Sequence, residues 1–269
     1  MKYKVGFLGG GNIAKAIIGG FINGGLFKAE HIIASARTDA SVKGLQSKFG
    51  IDATGDNLKI VQESEIVIIA VKPYMIESVM KPLKSELKPS QIIISVAAGV
   101  DTSTLVNYIG EGINIFRVMP NTPAQVGAGM SVIFSDQTVS NPSLATVKKL
   151  FEAIGKVEIV SEKLVHACIA LQGSSPAYMF MILEAMGDAG VQLGLPRDVA
   201  YTMAAQSMLG SAQMLLETGS HPGVLKDMVT SPGGTTIEAV VTMEGHGLRN
   251  AMIQGMLACA NKSSEMSKK

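Results

Sequence analysis

Residues 3–21 read YKVGFLGGGNIAKAIIGGF, a β-branched and aromatic run that passes without a spacer into Gly9-x-Gly11-x-x-Ala14 and then into a helical pattern. A strand that turns this tightly into a helix is the first half of a βαβ unit, and it commits the chain to a mainly parallel sheet with helices on its faces. In that context Gly9 permits the turn, Gly11 lets a diphosphate approach the backbone, and Ala14 allows close packing of helix on strand. Asn12 and Ile13 then present N–H groups at the helix N-terminus, where negative charge is favoured. A purely structural glycine turn is the alternative, and the strand–turn–helix setting favours a dinucleotide.

The next stretches repeat the pattern. Short β-branched runs at 32–35, 66–71, 92–96, 113–119, 130–134 and 157–160 join 4–8 as predicted strands, with a weaker one at 51–53. Several are apolar throughout, as expected of strands covered on both faces. After about residue 161 strand signals vanish. Alanine, methionine and leucine dominate from 164 to 259, with breaks at 173–176, 195–196, 221–222 and 231–234. The fold class is therefore α/β, with a dinucleotide-binding domain over 1–162 followed by an all-α domain over 163–269. Met179, Met186, Met203 and Met214 fall at helical spacing and read as core or subunit interface. The tail from Asn261 is expected to fray.

Ligands of open α/β sheets bind beyond the carboxyl ends of the strands. The second strand ends in Ser35, Arg37 and Thr38, a cation flanked by hydroxyls, where a fold that prefers NADH usually carries an acid. That set suits a ribose 2′-phosphate, so NADPH is expected over NADH. Asp39 reads more simply as the N-cap of the next helix. Ala70, Val71, Lys72 and Pro73 close the next long strand, and Ala97, Ala98 and Gly99 the one after it. Small residues there leave room for ribose and nicotinamide. Asn57 and Asn121 complete the expected cofactor set.

Formal net charge is +1, from 23 basic and 22 acidic residues, and no basic run interleaves with aromatics, which argues against nucleic acid. The longest clean apolar run, 66–71, is far short of the ~20 residues of a membrane span, and no apolar segment follows the MKYK start. A cytoplasmic protein without membrane contact is expected. Cys168 and Cys259 match no metal spacing and read as buried reduced thiols, and the four histidines form no metal motif. No metal is expected.

The segments GGGNIAKA, AVKP at 70–73, RVMPNTPAQVGAGMS at 117–131, GSSPAY at 173–178 and SPGGTTIEA at 231–239 together resemble, in order, the motifs of the pyrroline-5-carboxylate reductases. The resemblance implies a Rossmann-like N-terminal domain joined to a helical dimerisation domain, with substrate bound at the dimer interface. It implies reduction of 1-pyrroline-5-carboxylate to L-proline by NAD(P)H, the last step of proline biosynthesis. It also implies a homodimer, in some relatives assembled into a decamer. Ser175 stands where many relatives carry glycine, which puts close backbone approach to substrate at that turn in doubt.

SPGGTT interrupts a helical region and contains more glycine and threonine than a helix start needs. Ser231 reads as the N-cap, with Pro232 at the first helical position. Backbone N–H groups around Gly233, Gly234, Thr235 and Thr236 could receive a small carboxylate. By family analogy Thr236 hydrogen-bonds the ring nitrogen and is the catalytic candidate, within a substrate set of Ser231, Gly233, Gly234, Thr235 and Thr236. Two alternatives stay open. One is a related reductase such as a 3-hydroxyacid dehydrogenase, for which Lys163 or Lys226 would be the proton donor. The other is a nucleotide-sensing protein that has lost its chemistry.

Overall fold

The computed structural model describes residues 1–135 and 142–267. In chain order the elements are β1 (Tyr3–Leu8), α1 (Asn12–Asn23), β2 (Ile32–Ser35), α2 (Asp39–Phe49), β3 (Asp52–Thr54), α3 (Asn57–Glu63), β4 (Ser64–Ile69), α4 (Ile76–Met80), β5 (Ile92–Ser95) and α5 (Thr102–Ile109). They continue with β6 (Asn114–Pro120), β7 (Gly129–Phe134), α6 (Pro142–Glu152), β8 (Gly155–Val160), α7 (Val165–Cys168), α8 (Ser175–Gln192), α9 (Arg197–Thr218), α10 (Pro222–Met228), α11 (Thr235–Gly245) and α12 (Leu248–Met266). The chain divides into two compact units, one of Met1–Gly173 with the residues from Ala260 onward, the other of Ser174–Cys259.

The first unit is built on one eight-stranded sheet in the order β3-β2-β1-β4-β5-β6-β7-β8. Pairing is parallel from β3 to β6; β7 runs antiparallel to β6, and β8 is parallel to β7. All eight expected strands are present, including the weak one at 51–53. They are legible because alternate side chains fill two separate cores. Ile32, Ala34, Ile66, Ile68 and Ile94 meet Ile17, Ile18 and Phe21 of α1 and Leu150 and Phe151 of α6. Ile33, Val67, Ile69 and Ile93 meet Ile60 and Val61 of α3, Met80 of α4 and Leu105 and Ile109 of α5. A strand covered on both faces has no polar alternation to lose.

Gln91, fully buried before β5, ties this sheet together at its amino edge. Its carboxamide donates to the Val61 and Ser64 carbonyls, each at 2.7 Å, and accepts the Lys88 N–H at 2.7 Å.

The second unit is entirely helical and nearly coreless. Only Gly187 in α8 and Ala200 and Ala204 in α9 are buried, and none in α10, α11 or α12. Gly187 lies against the Tyr201 ring, where an added Cβ would fall 2.5 Å from a ring carbon. Phe180, Met181, Leu209, Leu216, Val241 and Ile253 are each more than half exposed. Two sequence expectations change here. The tail does not fray from Asn261, because α12 continues to Met266, and Lys268 and Lys269 lie outside the described residues. Cys168 and Cys259 are free but only half buried. No helix among the described residues is long and apolar enough to cross a membrane.

Replacing Gln91 with Leu strands three buried backbone groups, so it should cost about 2–4 kcal/mol. Urea unfolding of the purified protein measures this, and a loss near zero would mean that water replaces the carboxamide.

Candidate functional site

The carboxyl ends of β1, β2, β4 and β5 form one edge of the first unit. Gly9 turns there with φ 105°, and a Cβ on it would sit 2.9 Å from the Ala70 carbonyl oxygen. Its N–H donates to the Ser35 hydroxyl at 3.1 Å, so the end of β2 braces the turn. Ser35 is 3% exposed, which makes it a support of the turn. Ala14 is fully buried beneath it, as close helix–strand packing requires. Gly11 differs: a Cβ there would meet no protein atom within 4 Å. Packing does not explain that glycine, and the unfilled space lies at the start of α1. Gly11 is the N-cap and supplies no side-chain hydrogen bond, so the first N–H groups of α1, including those of Asn12 and Ile13, are left for a ligand or water.

Arg37 is exposed and has no hydrogen bond or ion pair among the described residues. Asp39 is not the cap of α2. Thr38 is, because its extended backbone lets its hydroxyl accept the Ser41 N–H at 3.3 Å, and Asp39 becomes the first helical residue. Asn57 is half-buried at the start of α3, whose cap is Asp56. After β4, Ala70 is buried, Val71 half-buried, and Lys72 and Pro73 exposed, with Pro73 opening a single 3-10 turn. Tyr74 in that turn is 82% exposed, an aromatic at the mouth of the site that motif spacing did not single out. After β5, Ala97 is buried, and Ala98 and Gly99 are exposed.

Asn121 spends its carboxamide inside the protein. It donates to the Gln172 carbonyl at 3.0 Å and accepts the Met130 N–H at 2.9 Å. Gln172 returns a bond from its own carboxamide to the Met119 carbonyl at 3.1 Å. Asn121 therefore fixes the 121–130 loop against the π-helical turn Ile169–Gly173. No motif singles out Gln172, whose partner lies 51 residues away.

In the second unit Ser231 does not cap a helix. Its carbonyl accepts the Gly234 N–H at 3.0 Å, closing a turn around Pro232 and Gly233 in which Gly233 has φ 66°. Proline followed by a positive-φ glycine is the type II pattern, and it delays the helix to Thr235. Gly234 becomes the N-cap of α11, with no side-chain cap. The turn leaves the head of the helix open. A serine cap would have consumed one of the N–H groups at the head of α11, whereas here they stay open. Thr235 and Thr236 are exposed, and their hydroxyls have no partner among the described residues. Ser175, the first residue of α8, has ordinary helical backbone, and no non-glycine residue among those described has positive φ. Nearby, the Cys259 thiol donates to the Ser174 hydroxyl at 3.3 Å, and its hydrogen bond to Tyr178, with burial, pushes that phenol's pKa up.

Of the two lysines weighed as proton donors, Lys226 is paired with Asp227 at 2.5 Å, and Lys163 is exposed in the turn Glu162–Leu164. Among the described residues no group of three histidine, cysteine or acidic side chains could hold a metal ion.

Residues 162–266 match the family described as pyrroline-5-carboxylate reductase dimerisation. Residues 4–99 match the one described as NADP oxidoreductase, coenzyme F420-dependent. The chain is similar to the pyrroline-5-carboxylate reductase of Escherichia coli K12, with 43% identity over 268 residues and 100% of each chain covered. Its fold is similar to that of a solved pyrroline-5-carboxylate reductase from Coxiella burnetii, with a TM-score of 0.90, 36% identity and 100% of each chain covered. A Plasmodium falciparum pyrroline carboxylate reductase solved with NADP bound superimposes with a TM-score of 0.87 at 28% identity, over 99% of each chain. With the glycine turn, the open head of α11 and identity of this extent along its whole length, the chain belongs to the pyrroline-5-carboxylate reductase family.

Proposed function

We propose that this protein reduces 1-pyrroline-5-carboxylate to L-proline, with NADPH preferred over NADH, as the last step of proline biosynthesis. The observation that carries the reading is the uncapped head of α11 behind the Pro232-Gly233 turn, a backbone receptor for one small carboxylate. The unfilled space at Gly11 and the free N–H groups of α1 suit a dinucleotide diphosphate, and the unpaired guanidinium of Arg37 suits a 2′-phosphate. When bound, the reduced nicotinamide supplies the hydride that saturates the C=N carbon.

The chain's own residues bind and orient. The backbone at Gly233, Gly234 and Thr235 takes the carboxylate, and the Thr236 hydroxyl hydrogen-bonds the imine nitrogen. Ala70, Val71, Lys72 and Pro73, with Ala97, Ala98 and Gly99, form the walls beside the nicotinamide. An imine is basic enough to take up a proton without a strong acid, so positioning and electrostatics carry most of the catalysis. Ser35 and Asn121 act at one remove, the first on the Gly9 turn and the second on the 121–130 loop.

The second unit fits an obligate homodimer. At ~1.5–3 kcal/mol for each side chain, leaving the six exposed large apolar residues named above in water would forgo ~9–18 kcal/mol. That is as much as the ~5–15 kcal/mol stability of a whole domain. Assembly beyond the dimer, such as a decamer, rests on the family resemblance.

Oxidation of NADPH should follow addition of pyrroline-5-carboxylate and not of a panel of 3-keto acids; the reverse pattern would favour a hydroxyacid dehydrogenase. Arg37→Ala should weaken NADPH by ~1.5–3 kcal/mol, roughly ten- to a hundredfold, and leave NADH nearly unchanged. Equal losses in fluorescence titrations with both cofactors would remove Arg37 from the 2′-phosphate. Thr236→Ala should lower kcat/KM for the imine by ~1–3 kcal/mol with NADPH affinity retained. Folding should survive, since Thr236 is not a cap and alanine favours helix. Sedimentation at micromolar concentration should find a dimer, and a fully active monomer would refute the oligomeric reading.

A further inference from the structure

We propose that Glu162 is a positioning residue for hydride transfer, holding the loop of residues 97–101 in place through the Thr102 N–H. This rests on the reading above that the loop faces the nicotinamide. A single carboxylate oxygen of Glu162 accepts two hydrogen bonds, from the Thr102 N–H at 3.1 Å and from the Arg117 guanidinium at 2.7 Å. Arg117 is a rigid anchor for it. The residue lies in β6, in register with Ser95 of β5 and Phe134 of β7, its side chain is 7% exposed, and its guanidinium sits 5.3 Å from the Phe134 ring centre. One carboxylate thus links the sheet, the head of α5 and the turn Glu162–Leu164.

The loop's other polar ties are local. At its start the Ala97 N–H reaches the Ser95 hydroxyl at 3.4 Å. At its end Asp101 caps α5, accepting the Thr104 N–H at 2.7 Å, but this bond is local and moves with the helix head. Between them Ala98 and Gly99 are exposed, with Gly99 at φ 80°. An open cleft of about 790 Å³ is lined by Gly99, Val100, Asp101, Arg117 and Glu162 among others. Ala97 and Val100 pack against the core beside Ile93 and Leu105, so it is the Ala98–Gly99 tip that no packed side chain holds in place. The Glu162–Thr102 bond is its one long-range tie among the bonds described, spanning 60 residues.

A buried ion pair alone gives little net stability, so the alternative is a purely structural Arg117–Glu162 pair. Thr102→Pro separates the two. Thr102 is the first residue of α5, a position that tolerates proline, and Asp101 before it is already extended at φ −80°, ψ 167°. The substitution removes the N–H that donates to Glu162, along with a threonine hydroxyl that has no hydrogen-bond partner among the described residues, and leaves the ion pair intact. In the full-length enzyme, Thr102→Pro should keep the melting temperature and the imine KM near wild type. It should slow single-turnover hydride transfer about ten- to a hundredfold, as small misplacements of reacting groups do, and raise the isotope effect on kcat with NADPH deuterated at the transferred position. Glu162→Gln, which keeps an acceptor for Thr102, should stay closer to wild type than Glu162→Ala. A wild-type single-turnover rate in Thr102→Pro would overturn the proposal. So would a loss in Glu162→Ala that follows the melting temperature with no change in isotope effect. Ala98→Leu tests the underlying reading separately: unchanged NADPH affinity and turnover would mean that the loop does not face the cofactor.

Discussion

The edge that carries the proposed cofactor site depends on one close approach. At Gly9 the backbone of β1 turns over the Ala70 carbonyl with no room for a Cβ, while its N–H is taken by the buried hydroxyl of Ser35. Three strand ends are thereby fixed to one another. The bonds from the Ala70 N–H to Leu8 and from the Val96 N–H to Ile69 extend the same stitching to β5. With the strand ends fixed, α1 can begin at Asn12 with its N-terminal N–H groups aimed beyond the sheet. A side chain at position 9 would part β1 from β4 and disturb every residue proposed to touch the dinucleotide.

Both proposed binding surfaces use the same physical device, a helix whose cap is glycine and supplies no hydrogen bond. Gly11 heads α1 and Gly234 heads α11. A serine, aspartate or threonine cap commonly adds about 1 kcal/mol of helix stability, and α2, α3 and α5 all have one. Its absence at two helices that also carry motif glycines leaves those N–H groups to ligands. The turn before α11 adds a second benefit, since Pro232 and Gly233 fix its shape before substrate arrives.

The two units differ in where their apolar surface goes. Apart from its edge strands β3 and β8, the sheet buries most of its strand side chains on one face or the other. The helical unit leaves Phe180, Leu216 and Val241 exposed, apolar surface that the proposed partner subunit would cover. That suits a chain whose second half matches a dimerisation family, and in the proposed homodimer folding of this unit would depend on protomer concentration.

Much of the first unit is legible in the sequence because its signals are local and mutually consistent. Eight strands follow from runs of β-branched residues, and the glycine turn follows from three residues within six positions. Helix caps were harder. Thr38 rather than Asp39, and Gly234 rather than Ser231, cap their helices because a cap is set by the backbone angle of one residue, and several adjacent residue types could serve. The braces were out of reach altogether. Glu162 meets Arg117 across 45 residues and Asn121 meets Gln172 across 51, and no sequence period links such partners. Sequence alone thus determined the alternation of strands and helices and the position of the glycine turns, since short-range sterics and hydrophobic period decide them. Only the tertiary structure decided which polar side chains serve the fold and which stay free for ligands, because each hydrogen bond depends on a distant segment arriving within 3 Å or so.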